Sequence, residues 1–156
     1  MFASSIVKSL LVRAAIACAS LLLAAPAVLA TMVRVPTALG PVDIELFDTA
    51  APATVANYLS YLRTGAYNNT FFHRSAPGFV VQGGGYTAKF EEKITRPPVP
   101  LEAQNGLKHE TGTIAMARTG NPNSATAQFF INVVDNRGLN APMPDGYGYA
   151  VFGKVV

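Results

Sequence analysis

The sequence reads as a mainly β domain, an antiparallel barrel or sandwich capped by one helix. Its 156 residues suit a single domain. Short apolar runs broken by Gly, Pro and Asn recur from Ala66 onward, and one stretch alone carries a helical apolar period.

The first two strands are expected at Met32 to Val35 and Val42 to Phe47. In the second, Val42, Ile44 and Leu46 alternate with Asp43 and Glu45, the pattern of a half-buried strand, and Pro36 to Gly40 supplies a hairpin turn. The helix follows: Asp48 or Thr49 as cap, Pro52 in the first turn, Val55, Leu59 and Leu62 at helical spacing with Tyr58 extending their stripe, and Gly65 as the stop. Further strand signals are Phe71-Phe72, Phe79 to Val81, Thr113 to Ala117, Phe129 to Val134 and Tyr149 to Val156. Two stretches read as loops, Ala88 to Gly106 around Arg96-Pro97-Pro98-Val99-Pro100, and Asp135 to Gly148 with Pro142 and Pro144.

Met1 to Ala30 has the layout of a secretory signal. Lys8 and Arg13 make its start positive, Ala14 to Ala25 is an apolar run, and Val28-Leu29-Ala30 ends in small residues, with a cut after Ala30 or after Ala27. The expected organisation is therefore a signal peptide over residues 1–30 and one domain over residues 31–156. That places the product in the periplasm, with membrane contact only through the signal. Two of the 12 basic residues fall in that segment and none of the 9 acidic ones, so the domain is close to neutral. Its cations are scattered rather than clustered, which argues against nucleic acid. The one Cys, Cys18, lies in the signal, and His73 and His109 stand far apart. No metal or disulfide framework is expected, and no cofactor.

Two stretches carry the chemistry. Phe72-His73-Arg74-Ser75-Ala76-Pro77-Gly78-Phe79-Val80-Val81-Gln82-Gly83-Gly84 reads as two strands around a Pro-Gly turn. Strand alternation puts Phe72 with Arg74, and Phe79 with Val81 and Gly83. An Arg in an apolar strand, beside an aromatic, a Gln and three glycines that permit close backbone approach, reads as functional rather than as an edge-strand cation. Gly112 to Arg118 and Gln128 to Asn132 form a second pair of strands joined by a polar turn. In it Phe129 and Phe130 point to opposite faces, so one can serve the core while the other lines a surface.

Rival chemistries find less support. His73 could serve as a base, but a structural hydrogen bond suits it better. Gly83-Gly84-Gly85 lacks the following Lys-Ser/Thr and helix of a phosphate loop, and Ser75 and Ser124 lack a nucleophile elbow.

Together the stretches resemble the cyclophilin family of peptidyl-prolyl cis-trans isomerases, in particular its exported bacterial members. Phe72 to Gly84 follows the pattern FHRxxPGFxxQGG, Gly112 to Arg118 reads GTIAMAR, Gln128 to Asn132 reads QFFIN, and Tyr149 to Val155 matches a third segment. The resemblance implies a closed antiparallel β-barrel of the cyclophilin type. It also implies an isomerase acting on Xaa-Pro bonds of proline-containing peptides and unfolded or exported proteins. Arg74, Gln82 and Phe79 correspond to its catalytic residues. Val80, Ala117, Arg118, Thr119, Gln128, Phe130, Leu139 and Tyr149 correspond to its substrate-binding residues, with Gln82 holding Arg74 and the backbone at 117–119 running past the residue before proline.

The sequence also departs from the family. Val80 replaces a commoner Met and leaves the proline pocket roomier, Tyr149 stands where many members have His, and Gly138 stands where many have Trp, so cyclosporin-type ligands are expected to bind weakly. Family members continue beyond Phe152-Gly153-Lys154 into a last helix and closing strand, so the chain reads as C-terminally incomplete, and as a monomer if the barrel is completed. An unclosed barrel would leave the alternative of a weak or inactive prolyl-peptide binding module.

Overall fold

The computed structural model describes residues 30–143 and 145–156, so the signal segment and its cleavage site lie outside the described residues except for Ala30. Seven strands, β1 (Thr31–Thr37), β2 (Gly40–Leu46), β3 (Arg74–Ala76), β4 (Val80–Gly83), β5 (Thr113–Met116), β6 (Phe129–Asn132) and β7 (Val151–Val155), form one antiparallel sheet in the order β1-β2-β7-β5-β6-β4-β3. β1 and β3 are its two edges and do not pair with each other, so the described strands make an open sheet and not a closed ring. The first hairpin is longer than the sequence suggests. Pairing runs on through Pro36 with Pro41 and Thr37 with Gly40, which leaves Ala38 and Leu39 as the turn. Proline is tolerated there because β1 is an edge strand.

The two faces of the sheet bury different things. On one, Ile44, Leu46, Ile114, Met116, Phe129 and Phe152 pack with Val55 and Tyr58 of the helix α1 (Pro52–Arg63). On the other, Val80, Ala115, Phe130 and Val151 form a smaller cluster with Phe79, Leu139 and Tyr149 at its border. Phe129 and Phe130 thus divide between the faces, as consecutive strand residues must.

α1 departs from expectation at its start. Its N-cap is Ala51, which has no side chain to offer, and the Asp48 carboxylate is taken by the backbone N–H and hydroxyl of Thr31. The free N–H groups of the first turn are met from across the chain: Glu102 accepts from the Ala53 and Thr54 amides at 3.1 and 2.8 Å and from the Thr54 hydroxyl at 2.7 Å. A carboxylate at that end satisfies orphan donors and the helix dipole together. The buried face of α1 is Thr54, Val55, Asn57, Tyr58 and Tyr61, so its stripe centres on Tyr58 with Leu59 and Leu62 half-buried at its edge.

Phe71 and Phe72 are not in a strand; they enter β3, whose first residue is Arg74. The second loop, from Asp135 to Gly148, contains a short 3₁₀ turn at Arg137–Leu139.

Candidate active site

A single line of paired residues assembles the site. Arg74 pairs with Gln82, Gln82 with Phe130, Phe130 with Ala115, and Ala115 with Val151. Directly paired residues of an antiparallel sheet present their side chains on the same face. The register therefore places a cation, an amide and an aromatic in a row. Between β3 and β4 the Ala76-Pro77-Gly78-Phe79 turn, with Gly78 at φ +69° and the Phe79 amide donating to Ala76 O at 3.0 Å, brings Phe79 back beside Arg74. The Arg74 guanidinium carbon lies 5.8 Å from the centre of the Phe79 ring.

Arg74, Phe79, Val80, Gln82, Ala117, Arg118, Phe130, Leu139 and Tyr149 line one hollow of about 110 Å³. Its floor is Val80 and Phe130, both buried. Phe79 is fixed through its carbonyl, which accepts from the Val133 amide and from Asn136 Nδ2. On the far wall the Tyr149 ring meets Phe130 edge to face at 5.5 Å, and the Tyr149 amide donates to Leu139 O. Arg74 is exposed at the rim and, among the described residues, pairs with no carboxylate. A rim cation over an apolar pocket is a donor free to meet a ligand.

Gln128 and Thr119 stand outside this hollow. Gln128 Oε1 accepts from Gln82 Nε2 at 2.9 Å, so the side-chain hydrogen bond that Gln82 makes runs to Gln128 and not to Arg74. Thr119 donates through both its amide and its hydroxyl to Ser124 Oγ in the β5–β6 turn. Arg118 contributes more than backbone: its side chain is 2% exposed and its guanidinium is bonded to Asp145.

Sequence reasoning missed the layer beneath. His109, 1% exposed, stacks on Phe130 with its ring at 13° to the phenyl, and its Nε2 lies 3.2 Å from Tyr149 O. A carbonyl only accepts, so Nε2 carries the proton, and Nδ1 accepts from Asn132 Nδ2 at 3.1 Å. Burial pushes the His109 pKa down, against the hydrogen bond that Nε2 donates to the Tyr149 carbonyl, which pushes it up; the Asn132 amide facing Nδ1 favours the neutral ring. Nothing in the spacing of His109 and Tyr149 marks this contact, because it spans 40 residues. His73 packs edge to face on Tyr86 at 4.8 Å; its Nδ1 is buried with no close hydrogen-bond partner among the described residues, and the Phe71 backbone is the group that favours its protonated form.

Comparisons with known proteins agree with one another. The family model for cyclophilin type peptidyl-prolyl cis-trans isomerase/CLD matches residues 32–156. A peptidyl-prolyl cis-trans isomerase of Acinetobacter baylyi is 51% identical over 147 residues, covering 94% of this chain and 78% of that protein. Peptidyl-prolyl cis-trans isomerase B of Escherichia coli is 54% identical over 127 residues, 80% of this chain and 77% of that one. Among solved structures, a cyclophilin type peptidyl-prolyl cis-trans isomerase of Cryptosporidium parvum superposes with a TM-score of 0.67 at 30% identity, over 82% of this chain and 78% of its own. A second structure of that protein, obtained in the presence of the dipeptide Ala-Pro, gives a TM-score of 0.66 at 30% identity over 81% and 78%. With the sheet, the line of paired residues from Arg74 to Phe130 and a family match over the whole described domain in agreement, the chain belongs to the cyclophilin-type peptidyl-prolyl cis-trans isomerases.

Proposed function

We propose that this chain accelerates rotation about Xaa-Pro peptide bonds in the hollow beneath Arg74. The observation that carries the reading is one cation at the rim of a pocket floored by Val80 and Phe130 and walled by Phe79, Leu139 and Tyr149. A proline ring is apolar and small enough for such a hollow. The related Cryptosporidium protein, studied in the presence of Ala-Pro, supports a ligand of that class.

Rotation about a planar amide must cross about 18–20 kcal/mol. Reducing an isomerisation of tens to hundreds of seconds to milliseconds takes a factor of roughly 10⁵, or about 7 kcal/mol. No bond to substrate is made or broken. As the amide twists, resonance is lost and the prolyl nitrogen regains a lone pair. A guanidinium held there donates a hydrogen bond that the planar ground state cannot accept. An interaction that exists only in the transition state raises turnover, whereas grip on the proline ring lowers KM alone. Arg74 supplies the first, and Phe79, Val80, Phe130 and Leu139 supply the second. Ala117 and Arg118 border the groove for the residue before proline, with Gln82, backed by Gln128, facing the substrate backbone.

The proposed setting is the periplasm, reached through residues 1–30, and the clients are exported chains during folding. The domain over residues 31–156 is read as a cyclophilin barrel to which the seven described strands belong. The reading is supported by the signal-like layout and by the family's shared motifs.

Isomerisation of an Ala-Pro peptide followed with wild type, Arg74→Ala and Arg74→Lys tests the assignment. Both variants are expected to lose turnover by roughly two to three orders of magnitude, the scale of one transition-state donor, while peptide binding changes far less. Wild-type turnover in Arg74→Lys would overturn it, since an ammonium lacks the planar fork.

A further inference from the structure

We infer that Arg118 and Asp145 form a latch that holds the return segment bearing Leu139 and Tyr149 against the sheet, so that Arg118 is a positioning residue for the proline hollow and not a group that meets the substrate's reacting atoms. The inference rests on the reading of the hollow given above.

All three nitrogens of the Arg118 guanidinium are already engaged. Nε donates to Gly148 O at 2.8 Å, Nη1 to Thr119 O at 3.0 Å and Nη2 to Asp145 Oδ2 at 2.7 Å. The guanidinium carbon lies 4.6 Å from the centre of the Tyr149 ring, and the Arg118 side chain is 2% exposed. A buried cation persists when its donors are met, and here each nitrogen is bonded within the protein. Arg74, at the rim of the same hollow, has no carboxylate partner among the described residues. The two arginines therefore divide the work, one free to meet substrate and one bound into the wall.

The latch joins two pieces of chain far apart in sequence. Thr119 belongs to the β5–β6 turn, and Asp145 and Gly148 to the segment that leads into β7. Asp145 is itself oriented, since its other oxygen accepts from the Tyr147 amide at 2.9 Å. Gly148 is at φ +76°, and a Cβ on it would stand 2.7 Å from the Ala141 nitrogen, so the carbonyl that Arg118 grasps sits in a tightly folded bend. Beyond it the Tyr149 amide donates to Leu139 O at 3.2 Å, which couples the two wall residues to each other. His109 holds Tyr149 O from inside, and Arg118 covers its ring from outside. Asp145 is 41% exposed on its side chain, so its pair with Arg118 adds little to global stability, and its release is felt mainly by the segment it holds.

The test compares Asp145→Ala, Asp145→Glu and Arg118→Lys with wild type in three measurements: KM and kcat on an Ala-Pro peptide, thermal unfolding, and amide hydrogen exchange at Tyr149. Asp145→Ala and Arg118→Lys are expected to raise KM by about tenfold, the worth of one charge-assisted hydrogen bond, with faster exchange at Tyr149; Tm changes little in Asp145→Ala and falls in Arg118→Lys, which gives up the buried bonds to Gly148 O and Thr119 O. In Asp145→Ala, kcat stays within about twofold, because Arg74 is untouched. Asp145→Glu recovers most of the KM. An unchanged KM in both variants overturns the latch, and so does a raised KM with Tyr149 exchange unchanged, which would make Arg118 a direct substrate contact. Should the wild type lack isomerase activity, the functional reading fails, and the latch is judged by exchange alone: faster at Tyr149 in Asp145→Ala supports it, unchanged refutes it.

Discussion

Gln82 Nε2 donates to Gln128 Oε1 at 2.9 Å, and the same Gln128 side chain lies so close to Gly85 that a Cβ there would stand 2.6 Å from its Cδ and Nε2. The third glycine of the Gly83-Gly84-Gly85 run thus makes room for the residue that aims Gln82. Its neighbours have other reasons to lack a side chain. A Cβ on Gly83 would stand 2.9 Å from the Phe72 ring, and Gly84 adopts φ +84° where a Cβ would crowd Tyr67, Ala127 O and Phe129.

Gly85→Ala is expected to lower kcat/KM while leaving the fold almost as stable as before. The atoms in the way all belong to the Gln128 side chain, which can swing aside at a cost of about 1 kcal/mol, the worth of one hydrogen bond, but doing so takes Oε1 away from Gln82. A double-mutant cycle with Gln128→Ala checks the route. If Gly85→Ala acts through Gln128, the two losses in kcat/KM do not add. Additive losses would show that the glycine matters for another reason.

Glu102→Ala should destabilise the domain by about 1–2 kcal/mol, the usual worth of a helix cap, since it strips acceptors from the Ala53 and Thr54 amides and the Thr54 hydroxyl. Urea unfolding reads the loss, and prolyl-peptide KM should stay near wild type, because Glu102 does not line the hollow. Asp48→Ala disturbs the Thr31 contacts and leaves the start of α1 intact. A larger loss of helix in Asp48→Ala than in Glu102→Ala would contradict this division.

How far the sequence could be read follows from the range of the interactions. Alternation of Val42, Ile44 and Leu46, the Pro77-Gly78 turn and the opposed Phe129 and Phe130 are local signals, and each marks a feature that the structure contains. The helix cap was not legible because its acceptor, Glu102, lies 48 residues from Thr54, whereas the nearer candidate Asp48 is claimed by Thr31. The stripe of α1 was legible for the most part, since Val55, Tyr58, Leu59 and Leu62 all reach the core; what it lacked is Tyr61, buried beside Tyr67, whose position falls outside the Val-Leu spacing. At the site, motifs bring Arg74, Phe79, Gln82 and Phe130 to notice, but the hold of Arg118 on Asp145 and of His109 on Tyr149 depends on how the segment before β7 folds back.

His109 gives the domain a dependence on pH whose sign is set by its neighbours. The ring must be neutral with its proton on Nε2, because Nδ1 faces the amide nitrogen of Asn132 at 3.1 Å. Asn132 cannot turn to offer its oxygen, for Oδ1 already accepts from Asn136 Nδ2 at 2.8 Å while Nδ2 also serves Thr113 Oγ1 at 2.9 Å. Burial, the largest cause, lowers the folded pKa below the ordinary value, so the unfolded chain binds the proton first. Stability is then whole above the unfolded pKa of about 6.5 and falls as pH drops from there towards the lowered folded value, by at most about 1.4 kcal/mol per pH unit for one group. The pKa of His73 is lowered too, by burial and by Arg74, so both rings contribute to the slope. Urea unfolding from pH 8 to pH 5 should show ΔG declining below about pH 6.5, with a shallower decline in His109→Gln and another in His73→Gln. A flat profile, or a His109→Gln profile parallel to wild type, would refute the neutral ring and with it the tautomer that holds Tyr149 O beneath the hollow.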